Sequence, residues 1–136
     1  MISFFVFDTN SLISAALIPI STNRKAFDKA ISLGELAVSK NTLDEIIEVL
    51  FRIKFDKYFP NDNDRWLIIN KLQNNSKLFS PEIAVTCCRD SRDNKFLELA
   101  ISANASRLIT GDKDLLILHP FRSIPILNSV DFINNF

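Results

Sequence analysis

Four carboxylates, Asp8, Glu45, Asp93 and Asp112, each stand where an apolar, strand-like run or a turn passes into a helix-like pattern. In a parallel α/β sheet, strand ends and the starts of the following helices share one edge, so acids far apart in sequence converge there. Two unit charges about 4 Å apart repel by about 4 kcal/mol at an effective dielectric of 20, so such a cluster opposes folding unless a cation neutralises it. Mg²⁺ or Mn²⁺ suits the role, because these hard ions take oxygen ligands and keep several positions for water and substrate phosphate. Such an ion activates water for attack on phosphorus and stabilises the leaving oxygen, which points to phosphodiester hydrolysis. The chain has a single histidine, His119, which argues against a His-dependent ribonuclease or a Ser-His-Asp hydrolase.

Each acid also has a local explanation. Asp8 suits the cap of the helix that follows the first strand, a role that stabilises a helix by about 1 kcal/mol. Glu45 lies three residues after Thr42, the spacing of a capping box. Asp93 lies three residues after Asp90, ahead of an apolar helical stripe, where acids complement the helix dipole. Asp112 follows Gly111 in a turn, where Asp is ordinary. None of these roles explains why all four should meet at one edge of one sheet.

The elements that must position them follow from the hydrophobic period. Residues 4–7 form a continuous apolar run, as expected of a strand buried on both faces, and Asp8, Thr9, Asn10 and Ser11 then offer helix-capping side chains. Ala26, Phe27, Ala30, Ile31 and Leu33 keep helical spacing, Gly34 is a C-terminal stop, and residues 36–38 are a short strand. Leu43, Ile46, Ile47 and Leu50 fall on one helical face. Residues 56–64 turn polar and mark a loop, followed by a helix over 65–74. Phe96, Leu97, Ala100 and Ile101 make another helical stripe, residues 107–110 and 124–127 read as strands, and Ser129 is positioned to cap a terminal helix. Alternating β and α predicts one domain over residues 1–136, a three-layer α/β/α sandwich around a mostly parallel sheet.

Composition narrows the class. With 136 residues, 47% of them hydrophobic, there is chain enough for one real core. Sixteen basic residues balance sixteen acidic ones and the pI is about 6.6, so a polyanion must meet a local basic patch rather than a global field. Cys87 and Cys88 are adjacent and cannot staple distant segments. The run over 12–20 is too short to span a bilayer and the N-terminal residues lack a charged leader, so the expected location is cytoplasmic, away from membrane.

Four stretches carry a family resemblance: FVFDTNSL over residues 5–12, SKNTLDE over 39–45, RDSRDNKFLELA over 89–100 and LITGDKDLL over 108–116. In this order and with these gaps the chain resembles PIN-domain proteins, a metal-dependent ribonuclease family that includes the VapC-type toxins of bacterial toxin–antitoxin systems. The resemblance implies a metal-dependent endoribonuclease, the toxin of a type II toxin–antitoxin system. It implies Asp8, Asp93 and Asp112 as direct or water-mediated ligands of Mg²⁺ or Mn²⁺, and Glu45 as the group that holds or deprotonates a water. Asp114 matches an additional acid that binds the metal through water or shapes the site, and Asn10 and Thr110 match polar positions suited to hydrogen bonding. Where the subgroup often carries proline after the acid matching Asp90, this chain has Ser91, a change in a turn rather than in a ligand.

The partners implied are RNA, a cognate antitoxin and a second copy of the chain. Arg24, Lys25, Lys40, Arg89, Arg92, Lys95 and Lys113 lie near the expected edge and suit sequence-independent phosphate contacts, though most such residues are solvated surface charges. Phe55, Tyr58, Phe59 and Trp66 surround the polar loop, where ordinary packing or a homodimer contact is the expectation. Two other classes compete. A receiver-like domain would need an acidic pair after the first strand, where Thr9 and Asn10 follow Asp8. A PIN scaffold that only binds would keep the acids without turnover.

Overall fold

The computed structural model describes residues 2–135. Strand β1 (Ser3–Phe7) is central, flanked by β2 (Gly34–Ser39) on one side and β4 (Arg107–Ile109) on the other. Outside these lie β3 (Ser76–Phe79) next to β2 and β5 (Ile126–Leu127) next to β4, and every pairing is parallel.

Successive strand residues face opposite sides, and that alternation builds two cores. Phe5 and Phe7 pack with Leu12 of α1 (Thr9–Leu17), Phe27 of α2 (Thr22–Leu33), Ile46 of α3 (Lys40–Leu50), Ile69 of α4 (Asp62–Asn74) and Phe132 of α7 (Ser129–Asn135). Val6 instead packs with Leu97 of α5 (Asn94–Ala103), Leu108 of β4 and Leu115 of α6 (Lys113–Leu116). Helices thus cover both faces, which gives the expected three layers and explains why residues 4–7 of β1 are an unbroken apolar run.

The chain steps outward from β1 to β2 to β3, returns to β4 beside β1, and steps out again to β5. The order therefore reverses between β1 and β4, the kind of switch point where α/β sheets open a crevice at their strand ends. Asp8 and Thr110 leave the sheet there, one residue beyond Phe7 and Ile109, which are paired.

Several local expectations are corrected. The capping box of α3 is Ser39 with Thr42: the Thr42 N–H donates to Ser39 Oγ at 3.2 Å, and the Ser39 N–H donates to Thr42 Oγ1 at 2.9 Å. Glu45 is therefore released from that role. The second strand is longer than residues 36–38, since α2 passes straight into β2 at Gly34. Strand β3 was not foreseen, because SKLF has no apolar run and lies at the sheet edge with Leu78 61% exposed. Helix α4 begins at Asp62, ahead of residue 65, with Asn61 Oδ1 accepting the Asn63 N–H at 2.9 Å. Asn128 rather than Ser129 caps the terminal helix, accepting the Asp131 N–H at 2.8 Å.

Within the polar loop, residues 53–58 form a 3₁₀ turn that is organised by Arg65. This buried guanidinium donates to the Leu50 carbonyl at 2.6 Å, Asp56 Oδ1 at 2.6 Å and Asp62 Oδ1 at 3.0 Å, and it lies over Phe59, 4.6 Å from the ring centroid. Phe59 is thus ordinary packing. His119 is structural as well: its Nδ1 accepts the Ile126 N–H at 2.9 Å and tethers β5. Among the described residues no helix is long and apolar enough to cross a membrane.

Candidate active site

Asp8 follows β1 directly and does cap α1, as its local reading expected. Its Oδ1 accepts the Ser11 N–H at 2.9 Å and its Oδ2 accepts the Thr110 hydroxyl at 2.5 Å. Thr110 is fully buried just past β4, and its Oγ1 also accepts the Asp112 N–H at 2.9 Å. Asp112 Oδ1 in turn accepts the Asp114 N–H at 2.8 Å. One hydroxyl therefore couples the carboxylate after β1 to the turn after β4. Replacing Thr110 by Val deletes both bonds in a buried setting, and thermal melting is expected to show a loss of about 1–2 kcal/mol with the fold retained.

Asp93 behaves differently. The 3₁₀ turn Ser91–Asp93 is capped by Asp90, whose Oδ1 accepts the Arg92 N–H at 3.0 Å, while Asp93 makes no capping hydrogen bond at the start of α5. Its Oδ2 is buried with no hydrogen-bond partner among the described residues. Burial, then the hydrogen bond and charge of Asp112 and the charge of Asp90, push the Asp93 carboxyl up to about 7, against the opposing pull of Lys95. A buried carboxyl beside a second carboxylate holds its proton unless a cation offsets the charge. Asp93 keeps the helix-start position of its local reading but lacks the capping hydrogen bond that Asp8 and Asp112 accept.

Glu45 reaches the same edge from α3. Its Oε1 accepts the Thr9 hydroxyl at 2.5 Å and its Oε2 pairs with the Lys95 ammonium at 2.5 Å. Lys95 also donates to the Arg92 carbonyl and stands 5.1 Å from the Phe96 ring centroid. Asp114, half-buried on α6, joins Asp93, Asp112 and Asp90 in raising the Cys88 thiol to about 11, after the larger effect of burial. That thiol is held out of nucleophilic chemistry. Asn10 is exposed and lines a groove with Asp8 and Asp112.

The structure links the expected acids in a chain rather than as one ligand set. Asp93 is electrostatically coupled to Asp112, Asp112 reaches Asp8 through Thr110, and Glu45 is bonded to Thr9, the neighbour of Asp8. Among the described residues no three Asp, Glu, His or Cys side chains form a group that could hold a metal as they stand. The donor set nonetheless fits a hard cation, because Asp93 offers a buried oxygen without a partner beside a second carboxylate. Sequence reasoning missed two supports. Thr9 looked like a spare cap residue, and Asn94, whose Oδ1 accepts the Cys88 N–H at 2.9 Å, carried no signal beyond its place after Asp93.

Comparison with known proteins agrees with this architecture. The family model of the PIN domain matches residues 5–114. An uncharacterised protein of Methanocaldococcus jannaschii, MJ1680, is 31% identical over 128 residues, which covers 92% of this chain and 81% of that protein. Among solved structures, VapBC2 from Rickettsia felis, bound to a DNA fragment from its promoter, superposes with a TM-score of 0.62 at 11% identity, covering 92% of this chain and 98% of that one. PAE2754 from Pyrobaculum aerophilum gives a TM-score of 0.62 at 17% identity, covering 98% and 88%. These two likenesses speak for the fold, and the family model spans all the acids gathered at the β1–β4 switch point; the chain belongs to the PIN-domain family.

Proposed function

We propose that this protein is a Mg²⁺- or Mn²⁺-dependent endoribonuclease and the toxin of a type II toxin–antitoxin pair. PIN domains are generally nucleases that use divalent metals, and membership of the family sets aside the receiver-like reading. The observation that carries the proposal is the buried, unpartnered Oδ2 of Asp93 beside the Asp112 carboxylate. Asp93 and Asp112 would hold the ion, with Asp8 and Asp114 completing its surroundings. When bound, the ion supplies activated water and offsets charge building on the phosphate.

The chain's own residues do the rest. Thr110 fixes Asp8 and the Asp112 turn in one geometry, so little reorganisation is needed when substrate arrives. Thr9 fixes one oxygen of Glu45 while Lys95 occupies the other. An incoming phosphodiester competes for the Lys95 ammonium and frees Glu45 Oε2 to accept the proton of the attacking water. Lys95 then neutralises phosphate rather than carboxylate.

A cognate antitoxin is supported by an apolar groove of about 260 Å³ lined by Leu12, Ile13, Phe27, Leu50, Leu67 and Leu72 and bordered by Arg24 and Lys71. VapBC2, named for a toxin and its antitoxin, shares the fold. Trp66 and Tyr58, 46% and 44% exposed, offer a surface for a second copy of the chain.

The test is incubation of the pure protein with labelled structured RNAs in Mn²⁺, in Mg²⁺ and in EDTA, beside an Asp8→Asn variant that keeps a capping oxygen. Cleavage is expected only with metal and is expected to vanish in the variant. Metal binding by calorimetry without cleavage of any RNA would favour a binding scaffold, and cleavage that persists in EDTA would overturn the assignment.

A further inference from the structure

A second groove, of about 480 Å³, opens directly beside Asp8 and Asp112. Its remaining wall is neutral: Asn10, Ser11, Asn23, Asn128, Ser129 and Val130 contribute to it, and none of the described residues that line it is Lys or Arg. The wall itself has no Lys or Arg to receive a phosphate, so a phosphate contact there would depend on the ion the acids hold rather than on the groove. The wall instead offers amides, hydroxyls and one apolar side chain, Val130, which is 51% exposed. That is the chemistry of a base edge and ring.

Two of the amides are oriented. Asn23 Oδ1 accepts the Ser129 hydroxyl at 2.5 Å, and Asn128 Oδ1 accepts the Asp131 N–H at 2.8 Å. With each carbonyl oxygen engaged inside the protein, the two NH₂ groups remain as donors with no protein partner among the described residues. A pair of fixed donors suits a base that presents two acceptors on one edge, as guanine does with O6 and N7 and uracil with its two carbonyls, better than adenine.

We propose that this groove binds the base of one nucleotide adjoining the scissile phosphate, reading an acceptor-rich edge through the NH₂ groups of Asn23 and Asn128 while Val130 packs on the ring. The proposal rests on the reading of the acids as an RNA-cleaving centre. The family match ends at residue 114, whereas Asn128, Ser129 and Val130 follow it, so the reading surface draws on a part of the chain outside the matched segment.

The experiment uses short single-stranded RNAs that vary only at the nucleotide on either side of the cleaved bond, with four bases and an abasic residue at each position. Cleavage efficiency in Mn²⁺ and binding in EDTA by fluorescence anisotropy are both read. The variants Asn23→Asp and Asn128→Asp keep the acceptor oxygen that Ser129 and Asp131 use and delete the NH₂ donor. Circular dichroism verifies their fold, and Val130→Ala provides a variant that alters no hydrogen bond. Wild type is expected to favour guanine or uracil over adenine and over the abasic RNA by about tenfold at one position, and either Asp variant to shrink that ratio to about twofold or less. The added charge lowers affinity for all RNAs alike and leaves the ratio to report recognition. Equal use of all five RNAs by wild type, or ratios unchanged in the variants, would overturn the base site while leaving the nuclease standing. If no RNA is cleaved, the nuclease reading fails, and the anisotropy ratios alone decide the base site by the same criterion.

Discussion

Replacing Asp93 by Asn is expected to abolish metal-dependent cleavage and, in the same protein, to raise the melting temperature measured in EDTA. The loss of rate should be about a thousandfold or more, since the variant removes the buried oxygen best suited to a cation and with it the several kcal/mol that a metal supplies to the transition state. The gain in stability has the opposite origin. Without metal the Asp93 carboxyl titrates at about 7 because burial and the neighbouring Asp112 disfavour its charge. In the unfolded chain it titrates at about 3.9. Between these values the folded protein binds more protons than the unfolded one, so the contribution of Asp93 is fully favourable below about pH 4 and is lost as pH rises through about 7. Asn is neutral throughout. The melting temperature of the variant minus that of wild type in EDTA should therefore grow from about pH 4.5 to about pH 7.5, and wild-type affinity for Mn²⁺ should climb over the same interval as the proton is displaced. A difference that stays flat or shrinks with pH would show that Asp93 is not held under this stress.

The largest stability effect is expected at Gly34. The residue pairs with Ser3 where α2 turns directly into β2, and its φ of −178° is ordinary extended backbone. Space rather than conformation demands glycine, because a Cβ built there would meet the Ser3 carbonyl oxygen at 2.0 Å and its carbon at 2.9 Å. Both are backbone atoms of the central strand and cannot rotate away. Gly34→Ala should cost about 3 kcal/mol and lower the melting temperature by about 10 °C in a domain of this size. Gly111 is the contrast: a Cβ there meets nothing within 4 Å, and Gly111→Ala should melt close to wild type. A Gly34→Ala protein that also melts like wild type would show that β1 and β2 do not pair in the Ser3–Gly34 register.

The sequence disclosed the parts of this arrangement that depend on period and on junctions. The run before Asp8 could only be a strand buried on both faces, and the helical stripe after Asp93 located α5. Strand β3 stayed hidden because an edge strand with one face in water needs no apolar run. The site was legible as a set of acids at one edge, but not as a network. Nothing local in Thr9 announces a bond to Glu45 across 36 residues, and nothing in Thr110 announces a hydroxyl shared between Asp8 and Asp112. The spacing of Thr42 and Glu45 even suggested a capping box that Ser39 pre-empts, since its own side chain reached the helix start first. Tertiary contacts of this kind are set by which strands become neighbours, and that order is a property of the whole chain.

Arg65 has a consequence for the apolar groove that its own helix helps to wall. The guanidinium sits in α4 and grips the last carbonyl of α3, at Leu50, while Asp56 and Asp62 hold its remaining edge. Ile46 and Leu50 of α3 and Leu67, Ile68 and Leu72 of α4 are groove walls. The gap between those helices is therefore spanned by a strut of fixed length, and the cleft does not have to be prised apart by whatever enters it. A visitor to this cleft meets a mould already set, keeps the free energy that opening it would have consumed, and finds shape rather than pliancy as the condition of entry.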